Sequence, residues 1–278
     1  MMKNALPTAL LLLSLLALIL PQPAKAQEMG NPVALTPQGQ FTLGLSAYQV
    51  FEQKHKDFRL KSSSSTGTAS TATLGGSFRD DQYFLLGLTY GLRDWLNLFA
   101  QAGMVHGGRF LSVNPANTEE WQAKMKDQFV WALGAKAQAF KLSNGLALGL
   151  STRYLRYDDR KLGTWHENKS GYDDSTNWRD EGTLSYWQLD LSAVLSLPLG
   201  PLTPYAGLGY THAEAKEGGG NYSLRTPEYV GYDATIRNQD SVVALCGLDL
   251  ALGKDFSLYA QAEFLARNTL GLGLSWSF

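Results

Sequence analysis

Cysteine is almost missing from this chain: Cys246 stands alone in 278 residues. A single thiol closes no intrachain disulfide, so the chain is not a stapled secreted scaffold, and Cys246 is expected to pack as a small apolar residue. Excess charge of one sign is also missing. With 24 Lys+Arg against 25 Asp+Glu, no polyanion and hence no nucleic-acid partner is implied. Beyond Gln27 no run approaches the roughly 20 apolar residues of a membrane helix. Metal-ligand spacings are lacking as well: there is no Cys pair and no HExxH, and His166-Glu167 is an isolated neighbour pair. Gly218-Gly219-Gly220 lacks the Lys and the following helix of a phosphate loop and reads as a flexible loop tip. No metal or cofactor is therefore expected.

The amino terminus has Lys3, an apolar run from Ala5 to Leu20, Pro21 and Pro23, and Ala24-Lys25-Ala26 before Gln27. A basic start, a short apolar core and small residues one and three places before a junction are the parts of a cleavable secretory signal, expected over residues 1–26. Its removal takes two lysines and no acid, leaving a mildly acidic mature chain. An exported chain without an apolar helix is periplasmic, secreted, or a membrane barrel.

Residues 27–39 are punctuated by Pro and Gly and read as a short periplasmic leader before alternation begins at about residue 40. Phe41, Leu43, Leu45 and Ala47 share one face of a first strand, because strand side chains alternate with a period of two. Phe84, Leu86, Leu88 and Tyr90, then Leu96, Leu98, Ala100, Ala102 and Met104, flank Gly91-Leu92-Arg93-Asp94 as a tight hairpin. Short turns recur at Lys141 to Gly145, Pro198 to Leu202 and Leu252 to Asp255, alternating with polar excursions at about 52–81, 106–126, 158–183 and 214–237. The pattern gives ten strands, at about 40–51, 82–92, 95–106, 127–140, 146–157, 184–198, 203–213, 238–251, 256–265 and 269–278. Eight or twelve are the alternatives. Asn117 with Glu120 three residues on favours a short helix reaching Lys126.

The final residues run Thr-Leu-Gly-Leu-Gly-Leu-Ser-Trp-Ser-Phe, with Leu270, Leu272, Leu274, Trp276 and Phe278 on one face. This resembles the closing strand of bacterial outer-membrane β-barrels, where the strand also signals to the barrel assembly machinery. Gly273, Trp276 and Phe278 match that signal; Gly271 stands where the family usually has a polar residue. The resemblance, to small barrels of the OmpA-like and porin-like group, covers residues 40–278. It implies an all-β, up-and-down transmembrane barrel with short periplasmic turns, long extracellular loops and outer-membrane lipid as its surroundings. A soluble sandwich is the competing reading, but it has no reason to sort its loops by parity. Aromatics agree with the barrel: Phe51, Phe84, Phe129, Trp131, Tyr154, Trp187, Tyr210 and Phe264 fall at outer ends, and Phe41, Tyr90, Trp95, Phe256, Trp276 and Phe278 at inner ends. Phe99 fits least, falling on the inner face.

In such a barrel Lys136, Arg153, Asp190, Asp249 and Glu263, with Gln101, Gln138, Gln188 and Gln261, face the lumen. They either fill it as a paired network or line a conduction path; the inward glycines, such as Gly134, Gly247, Gly271 and Gly273, leave room for water. Asp80-Asp81, His212 and Glu214 supply the residue types of a barrel protease without its signature motifs. His55, His106, His166 and His212 frame no lipid-hydrolysing site. Loop aromatics Trp121, Trp165, Tyr172, Trp178, Tyr222, Tyr229 and Tyr232 either grip an extracellular ligand or pack the loops together. The expected role is non-enzymatic, structural or loop-presenting, with a narrow channel as the alternative and a barrel enzyme third.

Overall fold

Alternating Leu, Ala and aromatic residues on one face with small or polar residues on the other are the composition of strands that must satisfy every backbone group from their neighbours. In the computed structural model, which describes residues 30–114, 120–167, 178–223 and 228–278, they form a single antiparallel sheet. The expected signal, residues 1–26, lies outside the described residues. The strands are β1 (Phe41–Ser64), β2 (Ala69–Arg93), β3 (Leu96–Val113), β4 (Glu120–Met125), β5 (Gln128–Lys141), β6 (Ala147–Glu167), β7 (Trp178–Asp180), β8 (Thr183–Ser196), β9 (Leu202–Ser223), β10 (Tyr229–Arg237), β11 (Val242–Ala251), β12 (Phe256–Leu265) and β13 (Arg267–Ser277).

Ten of these close a ring. In order it is β1, β2, β3, β5, β6, β8, β9, β11, β12 and β13, each pairing with the next. β13 returns to β1 from Thr42↔Ser277 to Gln53↔Arg267. Phe41 and Phe278 exchange both backbone hydrogen bonds at the seam, at 3.2 and 3.0 Å. The outer face is an apolar belt: Leu45, Leu133, Leu208 and Leu272 are all more than half exposed. Exposed Phe51, Phe84, Phe129, Tyr210 and Phe264 rim one edge, and Trp95, Phe256, Trp276 and Phe278 the other. Cys246 is exposed on this belt, level with Ala206 and Ala262 on the flanking strands.

Strands do not stop at the belt, as the polar excursions had suggested. Thirteen residues of β1, from Glu52 to Ser64, continue beyond Phe51, roughly 40 Å of contour at about 3.3 Å per residue. Beyond the belt a second closed ring forms, of eight strands: β1, β2, β3, β4, β6, β8, β9 and β10. β4 takes the place of β5, and β10 alone replaces β11, β12 and β13. The result is a β-walled tower continuous with the membrane barrel.

Two local expectations give way here. Residues 120–125 are strand β4 rather than helix, because Trp121, Ala123 and Met125 alternate with Gln122 and Lys124 between β3 and β6; tertiary pairing overrides the local cap, and 117–119 lie outside the described residues. Gly218-Gly219-Gly220 is no loop tip but lies within the last third of β9, paired with Gly231 to Asp233 of β10. The sequence cue failed because polarity inverts above the belt, where water is outside and the packed side chains are within.

Candidate functional site

The lumen is built in three layers. In the middle layer, Asp190 of β8 accepts hydrogen bonds from Arg153 (2.8 and 3.2 Å), Arg267 (3.2 and 3.4 Å), Thr211 (2.8 Å) and Gln188 (2.7 and 2.8 Å). Arg267 also binds Glu263, and Gln261 donates to Glu263 at 2.9 Å. The Arg153 guanidinium lies over the Tyr48 ring, 5.7 Å from its centroid. Two cations thus face two acids within a few ångströms, and both arginines are buried. Such an arrangement holds together only when every charge is matched, since a lone buried ion costs several kcal/mol. A cavity of about 60 Å³ remains beside it, lined by Lys136, Arg153, Asp190, Glu263 and Arg267 among others; it has room for a few water molecules.

All five sequence-predicted lumen charges face inward, but they do not form one group. Asp249 of β11 faces Asn31 of the leader and Lys136, apart from the arginine network. Lys136 in turn lies 5.9 Å from the centroid of the Phe99 ring. The sequence reading missed Arg267, the second arginine of the network, because it sits beside the β12–β13 turn where a connection was expected. Gln101 and Gln188 are also buried inside, and Gln138 lies beside a register shift in β5.

Inward glycines leave room for aromatic rings, not for water. Phe99 is directly opposite Gly134, Tyr205 opposite Gly247, Tyr259 opposite Gly273 and Tyr48 opposite Gly271. A Cβ on Gly134 would stand 2.2 Å from Phe99, and one on Gly273 2.1 Å from Tyr259. Phe99, the misfit of the aromatic count, is therefore a lumen-filling side chain.

The lower layer is closed by the leader. Asn31, Ala34 and Thr36 are buried in the mouth at the short-turn end of the barrel, and Thr36, Thr42 and Ser277 form a hydroxyl chain with both links at 2.8 Å. Asn97, with its amide oriented accordingly, donates to the Thr36 carbonyl at 3.0 Å and accepts from its N–H. Gly149 leaves space for Pro32 and Val33, and Gly91 for the carbonyls of Thr36 and Pro37.

The upper layer is aromatic. Phe78 packs on Phe110 and Tyr186 with centroids 5.2 and 6.0 Å apart, and Tyr157 stacks on Tyr186 at 5.2 Å. Leu155, Leu162, Leu184 and Ile236 complete this core, and Trp121 and Trp165 pack against it. Tyr172, and the side chain of Trp178, lie outside what is described. Asp81 crosses this layer to Arg160 at 2.8 Å, both side chains almost fully enclosed.

The rim residues do not converge. Asp81 points inside; Asp80 pairs with Arg109 on the outer face. His212 lies on the outer wall against Trp187, with centroids 5.2 Å apart, and Glu214 binds Arg237 at 2.9 Å. His106 pairs with Asp127 at 2.7 Å, an exposed contact that holds the Asp127 carboxyl below its usual range. His55 is buried against Phe78, and burial pushes its pKa down from 6.5 to about 3. The side chain of His166 lies outside what is described.

A closed ring carrying an apolar belt between two aromatic rims defines a transmembrane β-barrel of the outer-membrane type. No family model matches the sequence, and no curated protein does. Among solved structures, the chain is similar to the outer membrane protease OmpT of Escherichia coli (11% identity, 91% of this chain and 100% of that one, TM-score 0.48). It is also similar to the outer membrane protein OprG of Pseudomonas aeruginosa (13% identity, 87% and 97%, TM-score 0.49), and to a COG4313 outer membrane channel of Pseudomonas putida F1 (17% identity, 91% and 100%, TM-score 0.37). At such scores none of these likenesses bears on activity.

Proposed function

We propose that this protein is a non-enzymatic outer-membrane barrel that stabilises the envelope and presents a rigid β-walled tower to the exterior, with its lumen filled. The observation that carries this reading is the eight-stranded closure above the belt around the core of Phe78, Phe110, Tyr157 and Tyr186. A conduit would need an open path through that level; instead it holds interlocked rings and the enclosed Asp81–Arg160 pair. Hydrolysis at the rim would need a free acid beside His212; Asp81 stands on the other side of the wall, and Asp80 and Glu214 are paired with Arg109 and Arg237. The even strand count and the short turns support an orientation with both ends of the barrel on the periplasmic side and the β1–β2 hairpin outermost. Insertion proceeds through recognition of Gly273, Trp276 and Phe278 by the assembly machinery.

Surface presentation is tested with Thr66→Cys in a Cys246→Ala background, using a membrane-impermeant maleimide on intact cells. Labelling without permeabilisation is expected. A signal that appears only after the outer membrane is breached would reverse the orientation and remove the presenting role.

A further inference from the structure

The outer wall of the tower is polar except at one place near its top. Among the described residues, Tyr222 is the only large aromatic or aliphatic side chain of that wall with more than two-fifths of its surface exposed, at 43%. Directly opposite it on β10 stands Tyr229, with ring centroids 4.7 Å apart and the rings tilted by 41°. Below the pair, Gly220 of β9 faces Gly231 of β10, and Gly218 faces Asp233. Because these positions alternate with the inward Ala213, Ala215, Ala234 and Ile236, all of them lie on the outer face.

The two facing glycines make room for a ring. A Cβ on Gly220 would collide with the Tyr229 ring, and one on Gly231 would stand 3.2 Å from its hydroxyl, so Tyr229 lies down on bare backbone. Glycine weakens a strand interior, and a facing pair of them marks a deliberate close approach. The floor's own polar groups are already occupied: the Gly220 carbonyl accepts from the Glu181 N–H at 3.1 Å, and the Gly218 carbonyl from the Thr183 hydroxyl at 3.3 Å. Beside the floor, Ser63 of β1 stands opposite Gly231, and Lys61 opposite Asp233. Among the described residues, the side chains of Ser63, Lys61 and Asp233 make no hydrogen bond or ion pair.

An aromatic platform beside a free hydroxyl, carboxylate and ammonium is matched by a pyranose ring, which has a flat face of C–H groups and an edge of hydroxyls. A protein partner does not fit. Stable interfaces bury about 800 Å² per partner around a desolvated centre, and the wall around these rings is Ser, Lys, Asp and glycine backbone. A lipid is out of reach, since Ser63 lies twelve residues beyond Phe51, roughly 40 Å along the strand. The geometry points to a carbohydrate site: a β-linked hexopyranoside with equatorial hydroxyls stacks its C–H face on Tyr222 and Tyr229, while Asp233, Ser63 and Lys61 hold the hydroxyls at its edge. The hydroxyls must be equatorial because the platform is flat; an axial one would lift the sugar off the rings. The inference rests on the proposed orientation, which turns this wall toward glycans outside the cell.

The test uses the full-length mature chain in phosphatidylcholine nanodiscs, with cellotetraose as the probe and saturation-transfer NMR as the readout. Both ends of the barrel are accessible there, so a failure to bind speaks against the site, whereas failed labelling of intact cells speaks against the orientation. Heat-modifiable gel mobility first confirms that each variant is folded. In wild type the transfer should be strongest to the axial C–H protons of one sugar face. Tyr222→Ala/Tyr229→Ala should weaken binding roughly tenfold, the equivalent of one good aromatic contact. Asp233→Ala should weaken it by roughly the same factor through the lost charged hydrogen bond. Tyr222→Phe/Tyr229→Phe should keep the platform and the binding, and Lys124→Gln, exposed on β4, should leave it unchanged. No transfer to cellotetraose from folded wild type, or equal transfer from the Tyr222→Ala/Tyr229→Ala variant, would overturn the inference. So would displacement by dextran sulfate, which would make the contact one of charge at Lys61.

Discussion

Arg267 is hydrogen-bonded to both acids of the central network, whereas Arg153 is hydrogen-bonded to Asp190 and lies over the Tyr48 ring, and the two should therefore differ when removed. Arg153→Ala leaves Asp190 with Arg267, Thr211 and Gln188, at a cost of about 1–3 kcal/mol for the lost charged hydrogen bonds. Arg267→Ala strips Glu263 of its cation as well and should cost about 3–5 kcal/mol, the range for breaking a buried pair. Urea unfolding of both variants from lipid vesicles measures the order, and a midpoint for Arg267→Ala no lower than for Arg153→Ala would refute it. His55 makes a second residue-scale prediction. Its folded pKa lies near 3 and its unfolded value near 6.5, so below pH 6.5 the unfolded chain binds a proton that the folded chain does not. Stability is full above that pH and falls by about 1.4 kcal/mol per pH unit as the solution is acidified toward 3. Between pH 7 and 5 wild type should lose about 2 kcal/mol more than His55→Phe; parallel curves would show that His55 is not buried neutral.

At the level of elements, alternation located all ten membrane strands, since lipid outside and small or polar groups inside impose a clean period of two. Above the belt the same chain was read as loops. There Phe58, Phe78 and Phe110 face inward while Lys, Ser and Thr face water, which is the opposite polarity with the same period. Tyr48 and Tyr83 take the parity opposite to the apolar face, but which glycine each inward ring meets depends on the register. Register is the quantity a single sequence does not carry. The leader is legible as a segment, but its seat in the mouth at the short-turn end depends on Gly91, Asn97 and Gly149 of three different strands. The closing strand yields the element-scale prediction. Trp276 and Phe278 cover the periplasmic rim, and their rings lie 5.0 Å apart. Replacing both by Ser removes apolar burial and the expected assembly signal, so export should continue while insertion fails. Fractionation decides it: wild-type amounts of the Trp276→Ser/Phe278→Ser variant in the outer membrane would contradict the role given to this strand.

For the whole molecule, ten strands through the membrane and eight above it place a filled tower on a filled barrel. Ten strands enclose little more than the side chains that eight just fill. Here that margin is taken up by the leader below, the Arg153–Asp190–Arg267–Glu263 network in the middle and the Phe78–Tyr186 core above. Each layer draws residues from well-separated strands, so the layers also brace the wall. The most direct measurement is single-channel recording of the refolded protein in a planar bilayer. The account predicts a baseline without sustained unitary steps, for wild type and for Lys136→Gln alike. Stable steps in wild type, with an ion selectivity that moves toward cations in Arg153→Ala, would contradict the filled lumen and establish a pore.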